Sequence, residues 1–250
     1  MLTNKPIAMQ FLKSFSVLVL LVLFNSGALE AQKRWWAGSL SGKGPVVEQE
    51  LDLASFERIS LGISADVIVK RGSSQSISVR GQQNIIDNLL TEIEDKTWRI
   101  RFDRPIRRSQ GLKIFITLPH LSGARVSGSG SIESEDTWQA TSFYSGISGS
   151  GNLQLTVQAE DLTSKVSGSG NINLGGSSKE YYIQISGSGN VRATGLTAEN
   201  CKVRISGSGD ARVGVQENLE VRISGSGDVI YSGRPKVSSK ISGSGSLSSR

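Results

Sequence analysis

A β-branched residue followed by Ser-Gly-Ser-Gly occurs seven times in the second half of this 250-residue chain. The copies begin at Val126, Ile147, Val166, Ile185, Ile205, Ile223 and Ile241, so the steps between them are 21, 19, 19, 20, 18 and 18 residues. A near-constant step of this size is typical of a solenoid, in which each coil buries its apolar face against its neighbours. The spacing predicts an all-β fold, a parallel β-helix of about seven coils that we expect to be right-handed.

Period-2 alternation through each signature places both glycines inward and both serines outward. Glycine has no Cβ, so we expect it to let the chain bend and approach the opposite wall of the coil closely. A flexible Gly/Ser linker is the alternative interpretation of such a sequence. A linker does not require Val or Ile before every signature and an aliphatic residue two positions after its end, so the alternation favours an ordered coil.

The N-terminus has the pattern of a secretory signal peptide over residues 1–31. Lys5 and Lys13 precede a short apolar run (17–24), and small residues follow it. Cleavage is expected after Ala28 or Ala31, and an uncleaved N-terminal anchor is the alternative. A membrane span needs about 20 apolar residues, so we expect none after cleavage.

Charge and cysteine content narrow the class of protein further. The formal net charge is +6, and removal of residues 1–31 takes away two positive charges and one negative charge, which leaves +5. This mild basic excess favours anionic partners. The single cysteine, Cys201, excludes an intramolecular disulfide framework, so stability must come from packing and backbone pairing.

Three further regions follow the signal peptide. Residues 32–50 show no period and are predicted to form a linker or arm. Residues 51–120 are predicted to be a β-strand region with one short helix at 84–90, and residues 121–250 are the repeat array. Alternating segments predict the strands of the middle region, at 56–61, 65–69, 77–79, 98–102 and 112–118.

From about Phe56 onward the chain resembles the bacterial auto-transporter adhesin "head GIN" domain. The resemblance rests on Ile63-Ser64-Ala65-Asp66-Val67-Ile68-Val69, on Asn84-Ile85-Ile86-Asp87, on the strand at 112–114 with Leu118-Pro119, and on the serial Ser-Gly-Ser-Gly-Asn/Asp turns. It implies an exported β-helical protein of a Gram-negative bacterium, located in the periplasm, on the outer surface or in the medium.

Candidate catalytic groups are scarce. The one histidine, His120, follows Pro119 and is interpreted as a turn residue, and the alternation places Cys201 in the core. No serine lies in a Gly-x-Ser-x-Gly context between a strand and a helix. We therefore expect no enzyme and no cofactor, with a polysaccharide-active enzyme as the least favoured alternative.

The residue after each signature forms a polar column: Ser131, Asn152, Asn171, Asn190, Asp210, Asp228 and Ser246. We interpret it as a ladder of side chains that hydrogen-bond turn backbone and each other. Calcium is the weaker alternative, because only Asp210 and Asp228 supply carboxylates and a calcium site takes about six to eight oxygens.

The residue before each signature's Val or Ile forms what we call the cationic column: Arg125, Gly146, Lys165, Gln184, Arg204, Arg222 and Lys240. Five of the seven are cationic, and all are predicted to point outward. Stacked like charges repel unless something compensates them. Arg192 and Arg212 add an adjacent pair beyond the signature. The column is either a device that keeps a β-surface soluble or a binding site for an anionic partner.

Acidic polysaccharide or the phosphates of lipopolysaccharide are the partners expected for the second interpretation. Nucleic acid fits the charge, but the predicted export of the protein and the lack of paired surface aromatics argue against it.

The C-terminal end of the repeat array has no predicted capping element. Arg250 comes five residues after the last glycine of the seventh signature. We therefore expect an uncapped coil edge, through which a structural envelope protein could form homo-oligomers.

Overall fold

The computed structural model describes residues 38–250, so the predicted signal peptide (1–31) and the first part of the predicted arm (32–37) lie outside them. Within the described residues strands dominate, as predicted, and the one helix is α1 (Gln83–Ile86). No helix among residues 38–250 is long and apolar enough to cross a bilayer. The strands are, in chain order, β1 (Leu40–Ser41), β2 (Val46–Glu50), β3 (Arg58–Leu61), β4 (Asp66–Arg71), β5 (Ser76–Gln82), β6 (Ile93–Glu94), β7 (Thr97–Ile100), β8 (Ile106–Arg108), β9 (Lys113–Leu118), β10 (Gly123–Val126), β11 (Ser131–Ile147), β12 (Asn152–Val166), β13 (Asn171–Ile185), β14 (Asn190–Gly207), β15 (Ala211–Gly225), β16 (Val229–Ser232), β17 (Lys236–Gly243) and β18 (Leu247–Ser249).

The chain divides into two compact units. The described part of the first unit comprises residues 38–41 and 104–108, in which β1 pairs in parallel with β8. The second unit comprises residues 42–103 and 109–250 and holds every other element. All candidate site residues belong to the second unit.

The second unit is a parallel β-solenoid in which each coil pairs with the next at the register that the repeats predict. Ile147 lies opposite Val166, and Ile205 lies opposite Ile223. These inward aliphatic residues are at most 2% exposed. Burying such a side chain stabilises the fold by about 1.5–3 kcal/mol, so the stacked core holds the coils together.

The signature forms an ordered corner between two strands of each coil. Ser148 donates its backbone N–H to the carbonyl of Val126 (2.9 Å), and Ser150 donates to Gly128 (3.2 Å). The same pattern recurs between later coils. The corner therefore continues the hydrogen-bond ladder from coil to coil, unlike a flexible linker.

The second glycine of each signature is required by contact with the preceding coil. A Cβ on Gly170 would collide with the carbonyl oxygen of Gly151 and would lie 2.8 Å from Cγ2 of Ile147. The glycine therefore lies close to the backbone of the adjacent coil. The prediction that it approaches the opposite wall of its own coil is wrong. The adjacent coil comes this close because successive coils are hydrogen-bonded to each other along the corner.

A buried polar ladder accompanies the aliphatic core. The Ser145 and Ser164 hydroxyl oxygens lie 2.7 Å apart, and the Tyr181 hydroxyl lies 2.9 Å from Ser164 Oγ. All three residues are at most 2% exposed. Burial raises the pKa of the Tyr181 phenol far above its ordinary value. These hydroxyls satisfy one another, so burying them carries little cost.

The solenoid begins before the first signature. β3 pairs in parallel with β10 on one side and with β7 on the other, so Leu61 and Ile100 continue the stack below Val126. Residues 61–65 form a corner without the Ser-Gly-Ser-Gly sequence: Ser127 donates its N–H to Leu61 O and Ser131 donates to Ala65 O. Apart from β8, the strands of the predicted regions 51–120 and 121–250 therefore share one continuous sheet.

Two local features differ from the sequence prediction. The predicted linker at 32–50 contains β2, which pairs antiparallel with β5. This edge strand carries little alternation of apolar residues, because none of its side chains is fully buried. The predicted helix at 84–90 is only the four residues of α1, because Leu90 instead donates its N–H to Arg101 O and Leu89 forms a β-bridge with Phe102.

Candidate functional site: a cationic face of the solenoid

Parallel pairing brings the members of the cationic column into register on successive coils. Arg204 lies opposite Arg222, and Arg222 lies opposite Lys240. Arg125, Gly146, Lys165 and Gln184 continue the column in the other direction. Neighbouring members are separated by one strand spacing, about 4.8 Å. The charges form a line along the stack, as predicted.

Exposure differs among the column's members. All five cations are exposed, and Gln184 is half-buried. Gly146 is buried because the Tyr144 ring lies over it, so that a Cβ there would lie 2.7 Å from Cε1 of the ring. An aromatic side chain thus occupies the position where the column lacks a cation.

An acidic residue compensates the most crowded part of the column. Glu220 forms ion pairs with Lys202 (2.7 Å between Nζ and Oε2) and with Arg222 (3.1 Å between Nε and Oε1). The hydrogen bond from Lys202 lowers the pKa of Glu220, and the positive charges of Lys202, Arg222 and Arg204 add to that shift. Folding therefore meets less repulsion than the sequence of the column alone suggests.

Tyr182 supports the neighbouring column members. The Arg204 guanidinium lies over the Tyr182 ring, 5.8 Å from its centroid. The Tyr182 hydroxyl donates to Gln184 Oε1 at 3.3 Å. Such a cation–π contact contributes about 0.5–1 kcal/mol at an exposed site and restricts the arginine without neutralising it.

The column extends beyond the residues that the repeat marks. Arg125 lies opposite Ser60, and Ser60 lies opposite Arg99 on its other side. Arg58 precedes Ser60 by two residues and so shares its face of the sheet. Together with Gly123 and Tyr144 these residues line a cleft of about 510 Å³.

Arg192 and Arg212 lie opposite each other on adjacent coils, as predicted, and both are exposed. Arg192 lies near the start of β14 and Arg212 near the start of β15, whereas Arg204 and Arg222 of the cationic column lie near the ends of these strands. Arg192 Nη1 donates to Asn171 Oδ1 at 3.5 Å. The structure therefore does not add this pair to the column.

The polar column after the signature is a hydrogen-bonded ladder. Asn190 Nδ2 donates to Asn171 Oδ1 (3.0 Å), the backbone N–H of Asp228 donates to Asp210 Oδ1 (3.0 Å), and that of Ser246 donates to Asp228 Oδ1 (2.8 Å). The carboxylates proposed for calcium are thus acceptors for the next coil. No group of three or more His, Cys, Asp or Glu residues able to hold a metal occurs within 38–250.

A larger groove of about 830 Å³ crosses several coils at a different corner. Its charged lining residues are Glu160, Lys179 and Glu199, and Lys179 lies 3.0 Å from Glu160. The excess of carboxylates makes this groove unsuited to an anionic ligand.

The two candidate catalytic side chains are not brought together. Cys201 is buried among core residues, and burial raises the pKa of its thiol to about 12. A thiol in that state is not a nucleophile at neutral pH. His120 is exposed, and its charge lowers the pKa of Glu57, which Lys96 lowers more strongly through a hydrogen bond.

The family model described as "Putative auto-transporter adhesin, head GIN domain" matches residues 55–235. The chain belongs to this family. The matched residues contain the β3 corner and six of the seven signatures. The resemblance found in the sequence is therefore confirmed. No curated protein matches the chain.

Solved structures show the same fold as this head GIN domain. A "putative adhesin" from Bacteroides fragilis is 21% identical, with a TM-score of 0.78 over 85% of this chain and 100% of the other. A "putative lipid binding protein" from Parabacteroides distasonis is 24% identical (TM-score 0.70, covering 85% and 99%), and a "putative adhesin" from Parabacteroides merdae is 20% identical (TM-score 0.63, covering 85% and 99%). At these identities the likeness establishes the fold alone.

Sequence reasoning missed Arg58 and Arg99 of the head GIN domain. Their strands carry the alternating pattern, and both arginines are exposed while Ile59, Trp98 and Ile100 are buried. No signature marks β3 or β7, so their register with Arg125 had no signal in the local sequence.

Proposed function

We propose that this head GIN domain is an exported, non-enzymatic adhesion module that binds an anionic glycan, such as an acidic polysaccharide or lipopolysaccharide, along the cationic column. The observation that carries the proposal is the in-register line of exposed Arg and Lys on successive coils. Its family description names an adhesin, which agrees with a binding role.

The geometry suits a polymer better than a small molecule. The column is linear, and its members repeat at about 4.8 Å, which matches an extended chain that carries regularly spaced negative groups. The cations are exposed, so they attract such a chain through long-range charge and lose that attraction as salt screens it. No ligand group needs to enter the packed interior.

Dextran sulfate, lipopolysaccharide and neutral dextran are suitable probes, because the first and last share a sugar backbone and differ in charge. Residues 32–250 should bind the two anionic probes at low salt, with affinity that falls as salt rises. Substituting Arg204, Arg222 and Lys240 together by Gln should weaken dextran sulfate binding by at least about tenfold.

The control variant changes three cations of another sheet region, Lys70→Gln, Arg80→Gln and Lys113→Gln, all of them exposed. It removes the same charge outside the column and should leave binding within about twofold of the unchanged protein. Equal losses in the two variants, or binding that does not depend on salt, would contradict a role for the column.

A second candidate function is self-association through the final coil. Every residue of β17 is exposed, and Val237 and Ile241 are 38% and 41% exposed. Within residues 38–250 β17 pairs only with β15, so its outer edge carries free backbone groups. Sedimentation velocity over a concentration series should show oligomers that the variant Ile241→Lys reduces, and a strictly monomeric protein at all concentrations would exclude this function.

A further inference from the structure

The cleft at the first end of the cationic column is built around one small residue. Ser60 lies on β3, between β7 and β10, so Arg99 and Arg125 occupy the paired positions on its two sides. Arg58 lies two residues earlier on the same face of β3. Three long cationic side chains therefore surround Ser60. Their Cα atoms lie about 5–7 Å from that of Ser60, because they belong to neighbouring strands or lie two residues away along the same strand.

The depth of the cleft depends on a second small residue. Gly123 lies opposite Arg58 on one side and Tyr144 on the other. A Cβ at Gly123 would come within 3.1 Å of the Tyr144 carbonyl oxygen and 3.5 Å of Arg58 Cγ. The missing side chain leaves a hollow whose walls are arginine and tyrosine.

Hydrogen bonds hold two of the three guanidinium groups, those of Arg58 and Arg125, in place. Arg58 Nε donates to Thr97 Oγ1 at 3.0 Å, and its Nη2 donates to the Asp95 carbonyl. Arg125 Nη2 donates to Ser148 Oγ at 3.3 Å. A guanidinium has five N–H donors, so these contacts leave donors for a ligand.

The acidic groups near the cleft do not cancel its charge. Arg99 Nη1 forms an ion pair with Glu94 Oε2 at 2.9 Å, with both side chains about half exposed. The charged residues that line the cleft are three arginines and one carboxylate, Asp95, so the lining is positive. Arg58 and Arg125 have no carboxylate within ion-pair distance among the described residues.

We infer that this cleft binds a compact tetrahedral oxyanion, a phosphate or sulfate monoester carried by the glycan that lies along the column. An arginine guanidinium binds such an oxyanion with two parallel hydrogen bonds, and the three arginines that line this one cleft can together supply donors to several oxygens. A planar carboxylate offers only two oxygens. The inference rests on the proposed function and assigns its polymer a phosphate or sulfate substituent at the position of Ser60.

Glucose 6-phosphate, glucose 6-sulfate, glucuronic acid and glucose are the probes, titrated into the ¹⁵N-labelled protein and followed by amide NMR shifts. The two monoesters should shift the amides of Ser60 and Gly123 at millimolar concentrations, glucuronic acid should act more weakly, and glucose should have no effect. The pair Arg58→Gln and Arg99→Gln should weaken monoester binding by about tenfold or more.

The substitutions Arg58→Lys and Arg99→Lys form a second variant. Lysine keeps the positive charge but cannot form the two parallel hydrogen bonds of a guanidinium. The Lys pair should therefore also weaken monoester binding, although by less than the Gln pair. Equal affinity of the Lys pair and the unchanged protein would overturn recognition by arginine forks. The triple variant at Lys70, Arg80 and Lys113 is the charge control and should keep the Ser60 and Gly123 shifts.

The outcomes separate this inference from the proposed function. Dextran sulfate binding that depends on Arg204, Arg222 and Lys240, without monoester shifts at Ser60 and Gly123, overturns the cleft and keeps the column. Monoester binding at Ser60 without any polymer binding keeps the cleft and overturns the column. If the protein binds only one of glucose 6-phosphate and glucose 6-sulfate, that result identifies the substituent as phosphate or as sulfate.

Discussion

Lys202 Nζ lies 2.7 Å from Glu220 Oε2, on positions directly opposite each other in adjacent coils. Glu220 also contacts Arg222 of the cationic column. The pair shows how the solenoid stacks cations at successive coils: an acidic residue two positions before Arg222, on the same face, offsets part of their repulsion and leaves the column exposed. The column can therefore present charge to solvent without preventing the coils from stacking.

Removal of this acidic residue should destabilise the fold. In Glu220→Gln, Lys202, Arg204 and Arg222 lose their shared counter-charge, and their mutual repulsion then opposes stacking. We expect a lower midpoint of urea unfolding than in the unchanged protein, and a smaller difference at high salt, because salt screens the repulsion. The matched control is Glu160→Gln, because Glu160 forms an ion pair with a single cation among the described residues, Lys179, and does not bridge two. An equal loss in both variants would contradict the compensation.

The contribution of Glu220 should also depend on pH. Contact with Lys202 lowers the pKa of Glu220 in the folded state below its value of 4.5 in the unfolded chain. The unfolded state therefore binds the proton more tightly, so the contribution is present above pH 4.5 and is lost as pH falls through the folded pKa. Urea unfolding of the unchanged protein and of Glu220→Gln should converge as pH falls below 4.5. A gap that widens on acidification would show that the shift has the opposite sign.

The glycines of the second unit should differ sharply in their tolerance of a methyl group. In Gly170→Ala the new Cβ meets the Gly151 carbonyl and Ile147, and relief requires the two coils to separate. We expect a loss of about 1–3 kcal/mol or more in the free energy of unfolding. The matched control is Gly195→Ala, whose Cβ would meet nothing closer than 3.7 Å. It should be neutral or stabilising by about 0.4–1 kcal/mol, as measured by urea unfolding.

The two adjacent tyrosines of β13 should respond differently to loss of the hydroxyl. Tyr181→Phe removes a buried group that lies 2.9 Å from Ser164 Oγ, so we expect the free energy of unfolding to fall by about 1 kcal/mol. Tyr182→Phe removes a half-buried hydroxyl whose contact with Gln184 is long, so the change should be within about 0.5 kcal/mol. Chemical denaturation of the two variants tests this, and a larger loss at Tyr182 would contradict the ladder's contribution.

Cys201 should react slowly in the folded protein. Its thiol is buried and burial raises its pKa to about 12, so little thiolate exists at pH 7.5 and solvent does not reach the sulfur. Labelling by a thiol-reactive dye should be slow in native buffer and fast in denaturant. A control with Cys201→Ala and Ser208→Cys places the thiol at an exposed position and should label rapidly in both. Rapid labelling of native Cys201 would show that the coil around it opens readily.

The repeat alone determined the solenoid and the column that precedes the signatures, five of whose seven members are cationic. The family resemblance needed the segments at 63–69, 84–87 and 112–119 as well as the repeat. A constant step and period-2 alternation together specify which residues stack: a one-residue slip would turn the aliphatic residues outward, and the step aligns equivalent positions of successive coils. The positions of Cys201 in the core and of Asn190 and Asp228 in the ladder follow from the same alternation.

The arginine-lined cleft could be found only from the tertiary structure. Arg58, Arg99 and Arg125 are far apart in the sequence and meet because β3 inserts in parallel between β7 and β10. The corner at residues 61–65 lacks the signature, so the coil that carries Arg58 and Ser60 has no mark in the sequence. β2 was likewise defined by its pairing with β5 rather than by its own pattern. Where the repeat is present, local chemistry sets the register; where it is absent, long-range strand pairing decides which side chains become neighbours.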